Sequence, residues 1–287
     1  MIHEIVQLRK INESRSLFHY TKSKGIQGII TDKCIRATRS DFLNDTSEAN
    51  YILTVLDMII EDIGNESWRS VLRKMIRERL HTPREVKYYI ASFSTDPDSI
   101  TLWSEFGDHT GYNAAFESTA LLAAIQANQK VSYHGYVIYS VADQKKLLKN
   151  ALADKIPKVM SQSFEEIMDE AVRDITCEAF EKYCKILEKV VGIYSIFFKQ
   201  EEFAVEQEYR VALREKDSKN VRFRENGGFM VPYVLVDISS GKAILPIESI
   251  TVAPKNHIDL AQEGMREYMK YNGYDVNVKL SRIKLRY

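Results

Sequence analysis

The sequence of 287 residues lacks several features that would assign it to a particular class of protein. Its formal net charge is +0 at pH 7, so it does not have the overall basic character of a non-specific nucleic-acid binder. Its three cysteines are an odd number without metal-type spacing, which indicates free thiols in a reducing compartment rather than a disulfide framework. The longest nearly apolar run, Val190–Phe198, is far too short to span a bilayer.

Motifs for common chemistries are also missing. There is no glycine-rich phosphate loop, no zinc pattern and no nucleophile elbow. The N-terminal stretch Met1–Leu8 has no apolar signal core, and we therefore expect a soluble, cytoplasmic protein without a membrane partner. We expect no metal either, and we interpret His134 as a packed histidine, because no cluster of other ligand residues accompanies it.

The order of strand-like and helical patterns predicts an α+β fold. Strands and helices do not alternate regularly, which argues against a parallel doubly wound sheet. Residues 141–199 carry an almost continuous helical pattern with a capping box at Ser163 and Glu166, and the pattern predicts that the following helix runs from Ile167 to about Phe198. We interpret this segment as a helical insertion within a single domain of residues 1–287. It could dock a regulatory or antitoxin partner, or its apolar residues could equally belong to the main core.

The stretch 203–213 is the most informative for chemistry. As a strand, it would alternate its side chains between two faces, and Tyr209, Val211 and Leu213 would lie on the buried face. The other face would carry Glu206, Glu208 and Arg210 together. Two interpretations stay open from this stretch alone: a solvated face with an ion-pair network, or a catalytic carboxylate with a helper on a rigid element.

Separated motifs along the chain together resemble a large bacterial family of unknown function. They are Phe18-His19-Tyr20-Thr21, Phe42-Leu43-Asn44-Asp45-x-x-Glu48, Ser92-Phe93-Ser94 with Leu102-Trp103 and Gly111, and Phe203-x-x-Glu206-x-Glu208-Tyr209-Arg210. The match covers nearly the whole chain except the helical insertion. That family in turn is similar to the mono-ADP-ribosyltransferase fold, which implies a split mixed or antiparallel sheet with flanking helices.

The resemblance implies a site that takes NAD as its substrate, without a metal. In that fold an early strand carries a histidine for an NAD ribose hydroxyl and a late strand carries the catalytic glutamate, which His19 and Glu208 match by position. Glu206 would then assist the incoming nucleophile. The other residues that the resemblance implies for NAD binding are Tyr20, Thr21, Asn44, Ser94 and Trp103.

Alternatives remain for several of these residues. The aromatic ring that packs on nicotinamide could be Tyr20, Trp103 or Tyr209, and core packing is the simpler role for Trp103. His19 could equally be a core histidine. The implied activity is transfer of ADP-ribose to a macromolecular acceptor, which could be RNA, DNA or protein, as in toxin or phage-defence enzymes. A non-enzymatic sensor or partner-binding module on the same scaffold and an NAD glycohydrolase are the alternatives.

Overall fold

A computed structural model gives the fold. It describes residues 2–43, 48–80, 87–128, 131–239, 241–255 and 258–284. The chain forms two compact units, each assembled from three segments. The sheet unit comprises Lys10–Phe42, Tyr88–Tyr136 and Val205–Tyr287, and the helical unit comprises Met1–Arg9, Leu43–Lys87 and Val137–Ala204. Across the described ranges, none of the helices combines the length and the apolar character that a membrane span requires.

All ten named strands lie in one mixed sheet of the sheet unit. The strands are β1 Ser16–Thr21, β2 Cys34–Arg39, β3 Tyr89–Ser94, β4 Tyr112–Glu117, β5 Val131–Tyr136, β6 Glu208–Leu213, β7 Arg222–Asn226, β8 Phe229–Asp237, β9 Ile247–Val252 and β10 Asn277–Leu280. The helices are α1 Ile2–Ile5, α2 Ser23–Asp32, α3 Glu48–Glu61, α4 Glu66–Met75, α5 Ile100–Gly107, α6 Ser118–Asn128, α7 Val141–Asn150, α8 Ile156–Met160, α9 Phe164–Arg173, α10 Glu178–Phe197 and α11 Ile258–Tyr271. The predicted mixed sheet with flanking helices is confirmed.

Strand β3 is the branching point of the sheet. The main path runs β10-β9-β4-β1-β3-β2-β8-β7, and β6 and β5 branch from β3. Strand β6 pairs with the whole of β3, from Tyr89↔Leu213 to Ser94↔Glu208. Since a strand has two edges, β1 and β2 must share the other one. Strands β9 and β10 are parallel, and the remaining pairs are antiparallel.

One face of this sheet holds the main hydrophobic core. On β6 the predicted alternation is confirmed, because Tyr209, Val211 and Leu213 all lie in that core. Helices α2, α6 and α11 cover this face with apolar side chains such as Ile26, Leu121 and Met265. Each fully buried side chain of this size contributes roughly 1.5–3 kcal/mol to folding.

The helical unit is formed by α1, α3, α4 and α7–α10. The predicted capping box is confirmed: the Ser163 side chain accepts from the Glu166 amide, and the Glu166 carboxylate accepts from the Ser163 amide. The prediction of one continuous helix from Ile167 to about Phe198 is wrong. Helix α9 ends at Arg173, because the Asp174 carboxylate accepts hydrogen bonds from the amide and hydroxyl of Thr176. Such local bonds compete with the helical pattern.

Candidate functional site

The shared edge of β3 contains a gap between its two neighbours. Strand β1 pairs with β3 through Phe18↔Ser94, whereas β2 pairs with it through Thr38↔Ile90 and an adjacent pair. The segment 91–93 therefore lies between the two neighbouring strands. Because main-chain groups that leave a ladder need other partners, this gap is a natural place for a polar side chain.

His19 occupies this gap from the β1 side. Its Nδ1 lies 3.2 Å from the carbonyl oxygen of Ser92. A carbonyl oxygen only accepts, so in a neutral ring the proton is assigned to Nδ1 and Nε2 becomes an acceptor. Burial lowers the pKa of His19, partly opposed by the Ser92 bond, and the charge of Arg224 lowers it further. The imidazole is therefore neutral near pH 7.

The Ser94 hydroxyl holds the chain segment that precedes β6. Its Oγ donates to the carbonyl oxygen of Glu206 at 2.7 Å and accepts from the amide of Asp96 at 2.9 Å. The amide of Thr95 donates to the carbonyl oxygen of Gln207 at 3.0 Å. These bonds fix the entry into β6, where Glu208 is the first residue.

The prediction that Glu206 lies on the same strand face as Glu208 is wrong. Glu206 ends a 3₁₀-helical segment, Glu201–Glu206, and Gln207 has a left-handed backbone with φ 46°. That conformation costs a non-glycine residue about 1 kcal/mol and interrupts the strand alternation. The two carboxylates nevertheless have similar burial, with 8% of Glu206 and 7% of Glu208 exposed.

Glu208 forms a buried, bidentate ion pair with Arg210. Arg210 Nε donates to Glu208 Oε2 at 2.8 Å, and Nη2 donates to Oε1 at 2.7 Å. The pair follows from strand geometry, because residues two apart on β6 project from the same face. A guanidinium fork matches a carboxylate in this geometry and fixes its orientation. Arg210 is itself only 2% exposed.

Tyr20 and Trp103 lie in a second, smaller core on the face of β1 opposite the main core. Their rings make a T-shaped contact with centroids 4.8 Å apart, and Trp103 has no exposed surface. The Tyr20 hydroxyl donates to the carbonyl oxygen of Asp96, and the Trp103 indole donates to the Asp98 carboxylate, both at 2.8 Å. Both side chains thus stabilise the turn after Ser94.

The remaining predicted residues are placed differently. Thr21 ends β1, and its side chain packs closely against Gly25 of α2. Asn44 lies outside the described residues. Tyr209, the third candidate aromatic, is fully buried, and its hydroxyl lies 2.6 Å from Nδ1 of His134.

The structure therefore brings together part of the predicted set. Ser94 and Glu208 are register partners, and the carbonyl of Glu206 meets Ser94. His19 approaches β3 from its opposite edge, and ordinary strand spacing sets the backbones of β1 and β6 roughly 10 Å apart. The register partner of His19, Ala114, and its ring neighbour Phe93 belong to the main core, so strand alternation places His19 and Glu208 on opposite faces of the sheet. Tyr20 and Trp103 support this arrangement from their own core, and Thr21 contacts α2.

Sequence reasoning missed a group of polar residues on β2, β7 and β8. It comprises Arg36, Thr38, Arg224 and Tyr233, which the strand registers place on one face. The alternation of Arg222 and Arg224 around a phenylalanine was the available signal, but it is also typical of a solvated strand. Within the described ranges, no group of three or more His, Cys, Asp or Glu side chains could hold a metal ion.

Comparison with known proteins gives one match. Residues 102–211 match the model of a family described as "Protein of unknown function (DUF2971)". The matched segment begins in α5 and ends within β6, so it includes Trp103, Glu206, Glu208 and Arg210. No curated protein and no solved structure matches the chain.

Proposed function

We propose that the protein is an NAD-dependent mono-ADP-ribosyltransferase whose site lies at the gap on β3. The observation that carries this proposal is the placement of His19 and Glu208 on the two strands that flank β3, with Ser94 between them. A histidine on an early strand and a glutamate on a late strand are what the mono-ADP-ribosyltransferase resemblance requires.

His19 binds a ribose hydroxyl of NAD in this proposal. Its Nδ1 is engaged by the Ser92 carbonyl, and the neutral Nε2 accepts a hydrogen bond from the sugar. The lowered pKa of His19 favours this role, since a protonated ring could only donate.

Glu208 stabilises the positive charge that develops on the sugar as the nicotinamide–ribose bond breaks. A carboxylate held in one orientation stabilises that transition state more than the ground state. Arg210 supplies the fixed orientation through its two hydrogen bonds. Glu206 assists the nucleophile of the acceptor by taking its proton. Ser94, Tyr20 and Trp103 act as positioning residues for this segment.

The acceptor in this proposal is a macromolecule, which is RNA, DNA or protein, and the setting is that of a toxin or a phage-defence enzyme. The helical segment 141–199 is the proposed docking surface for the acceptor or for a regulatory or antitoxin partner. It carries none of the residues proposed to bind NAD or to act in catalysis, and thus is separate in sequence from the proposed NAD site.

The test is a calorimetric titration of NAD⁺ into the wild-type protein and into His19→Ala. We expect a loss of about 1–3 kcal/mol of binding free energy, since one hydrogen bond in a desolvated site is removed. His134→Gln is the matched control, because it alters a half-buried histidine on β5 and should bind NAD⁺ normally. Unchanged NAD⁺ affinity in folded His19→Ala would remove His19 from the site.

A non-enzymatic binding module is the second candidate. The Glu208–Arg210 ion pair favours it, because a guanidinium that balances the carboxylate charge weakens the field available to a developing cation. NAD⁺ binding without nicotinamide release would support this candidate, and release without transfer to any acceptor would indicate an NAD glycohydrolase.

A further inference from the structure

Two strands of the sheet unit, β2 and β7, present cationic side chains on one face, and β8 lies between them with Tyr233 on the same face. The registers Thr38↔Tyr233 and Arg222↔Tyr233 align β2, β8 and β7. Arg36 lies two residues before Thr38, and Arg224 lies two residues after Arg222, so both share that face. We refer to Arg36, Thr38, Arg224 and Tyr233 as the strand-face cluster.

Both guanidinium groups of the strand-face cluster are held in place. Arg224 Nη2 donates to Thr38 Oγ1 at 3.2 Å. The Arg36 guanidinium lies over the ring of Tyr233, 5.2 Å from its centroid. The two guanidinium groups are therefore oriented by contacts with the neighbouring residues Thr38 and Tyr233, and the charge of Arg36 acts on Arg224.

This arrangement leaves positive charge uncompensated. Arg224 Nε is buried and has no hydrogen-bond partner in the part of the chain that the structure describes. Burial lowers the pKa of Arg224, and the neighbouring charge of Arg36 lowers it further. Among the described residues, no carboxylate contributes to the electrostatics of the half-buried Arg224, and the second arginine, Arg36, is exposed.

We propose that Arg36, Thr38 and Arg224 bind the phosphate group of a small phosphorylated ligand. Arg224 supplies the guanidinium whose Nη2 is bonded to Thr38, and the exposed Arg36 supplies a second guanidinium. The Thr38 hydroxyl accepts from Arg224, so its own hydrogen can be donated to the ligand. Two forked cations and a hydroxyl suit the three oxygens of a phosphate, which makes strong charge-assisted hydrogen bonds.

The phosphate site does not depend on the proposed enzymatic function. The charge of Arg224 reaches His19, so the pyrophosphate of a dinucleotide is one source of such a phosphate. A free phosphorylated metabolite without a nicotinamide ribose is the other source. Inorganic pyrophosphate probes the shared chemistry, and ADP-ribose separates the two sources.

The experiment is calorimetric titration of inorganic pyrophosphate into the full chain at low chloride. Wild type should bind, whereas Arg224→Gln and Arg36→Gln should each weaken binding about 10-fold or more. Arg39→Gln is the matched control, since Arg39 lies on β2 with its guanidinium bonded to Asp41 at 2.7 Å. It should bind pyrophosphate within about 2-fold of wild type.

Thermal unfolding separates binding from a structural effect. Pyrophosphate should raise the melting temperature of wild type and of Arg39→Gln but not of Arg224→Gln. Without the ligand, Arg224→Gln should be at least as stable as wild type, because it removes a desolvated charge. The absence of pyrophosphate binding to wild type at roughly 10 mM would overturn the proposal. Equal binding by all four proteins would overturn it as well.

The ADP-ribose arm identifies the source of the phosphate. If ADP-ribose displaces pyrophosphate from wild type, and Arg224→Gln binds neither, the phosphate site is part of a dinucleotide site. Pyrophosphate binding that ADP-ribose does not compete for supports the phosphate site and contradicts only its link to NAD.

Discussion

Glu208 and Arg210 illustrate how the surroundings of a residue decide what it can do. Both are almost fully buried and joined by two hydrogen bonds. Removing two charges from water is expensive, and the pair compensates for this only while both partners are present. A loss of activity in Glu208→Gln alone would therefore mix a catalytic effect with the cost of breaking the buried ion pair with Arg210.

A double-mutant cycle separates these effects. We expect Glu208→Gln to reduce the free energy of unfolding by about 3–5 kcal/mol, because it breaks a buried, bidentate ion pair by removing one of its two charges. The double variant Glu208→Gln with Arg210→Met should lose clearly less than the sum of the two single changes. Urea denaturation of the four proteins measures this coupling. Strictly additive losses would show that the ion pair does not stabilise the fold.

His134 should make stability depend on pH. Burial lowers its pKa to about 4, with a smaller contribution from Lys10, against an ordinary value near 6.5. Between these values the unfolded chain binds more protons than the folded one, so stability is lost as the pH falls from about 6.5 to about 4. The contribution of His134 to that loss should be about 1–2 kcal/mol, which is less than the full pKa shift implies because the ring is only half-buried and solvent screens its charge.

Denaturation at pH 7.5 and pH 4 compares wild type with His134→Gln. Gln does not titrate, so the variant should lose less stability over this interval. His19 also has a lowered pKa, but it is present in both proteins and cancels in the comparison. Parallel losses in the two proteins would contradict a neutral, buried His134.

Single residues were only partly predictable from the sequence. The alternation of β6 correctly predicted a buried Tyr209 and a shared face for Glu208 and Arg210, since strand periodicity fixes both. The placement of Glu206 was not predictable, because the left-handed backbone of Gln207 depends on hydrogen bonds from β3 and its following turn. Such contacts join residues more than a hundred positions apart.

For helices and strands, the sequence predicted boundaries correctly where the signal comes from residues close together in the chain. The Ser163 and Glu166 capping box is an example. The end of α9 was missed because the stopping signal is the Asp174 side chain, with neither glycine nor proline at the break. The gap between β1 and β2 along β3 could not be predicted from the sequence either, since it arises from long-range strand pairing.

We expect that Gly111 cannot be replaced by a residue with a side chain without a loss of stability. A Cβ there would overlap the backbone carbonyl oxygen of Thr21 at the end of β1 and would crowd Gly107 of α5. We expect Gly111→Ala to lower the free energy of unfolding by about 1–3 kcal/mol, the usual cost of overpacking. Urea denaturation measures this loss.

Gly264 provides the matched control for Gly111. It lies inside α11, and a Cβ there would meet nothing within 4 Å. Gly264→Ala should therefore stabilise the protein by about 0.5–1 kcal/mol, because alanine is the better helix former. A neutral Gly111→Ala, beside a stabilising Gly264→Ala, would contradict the close approach of Gly111 to Thr21.

At the scale of the whole molecule, the structure shows which distant parts of the chain pack with the segment 141–199, and the sequence could not predict them. It belongs to a compact unit together with residues from 1–9 and 43–87, far away in the chain. The Tyr51 hydroxyl donates to Gln144, and the Trp68 indole donates to Asp169, both at 2.9 Å. Deletion of 141–199 would therefore expose the partners of these helices, so point variants on exposed positions are the better test of docking.

Nicotinamide release from NAD⁺ by the purified full chain tests the central proposal most directly. Wild type and Gly264→Ala should release nicotinamide, and release should increase when the macromolecular acceptor is present. The double variant Glu208→Gln with Arg210→Met, which removes both charges of the ion pair, should be slower by roughly 10²–10³-fold or more. Glu206→Gln should lose transfer to the acceptor but retain slow hydrolysis by water. No release by wild type, or equal release by wild type and the double variant, would contradict the assignment of Glu208 as the catalytic residue of an NAD-dependent enzyme.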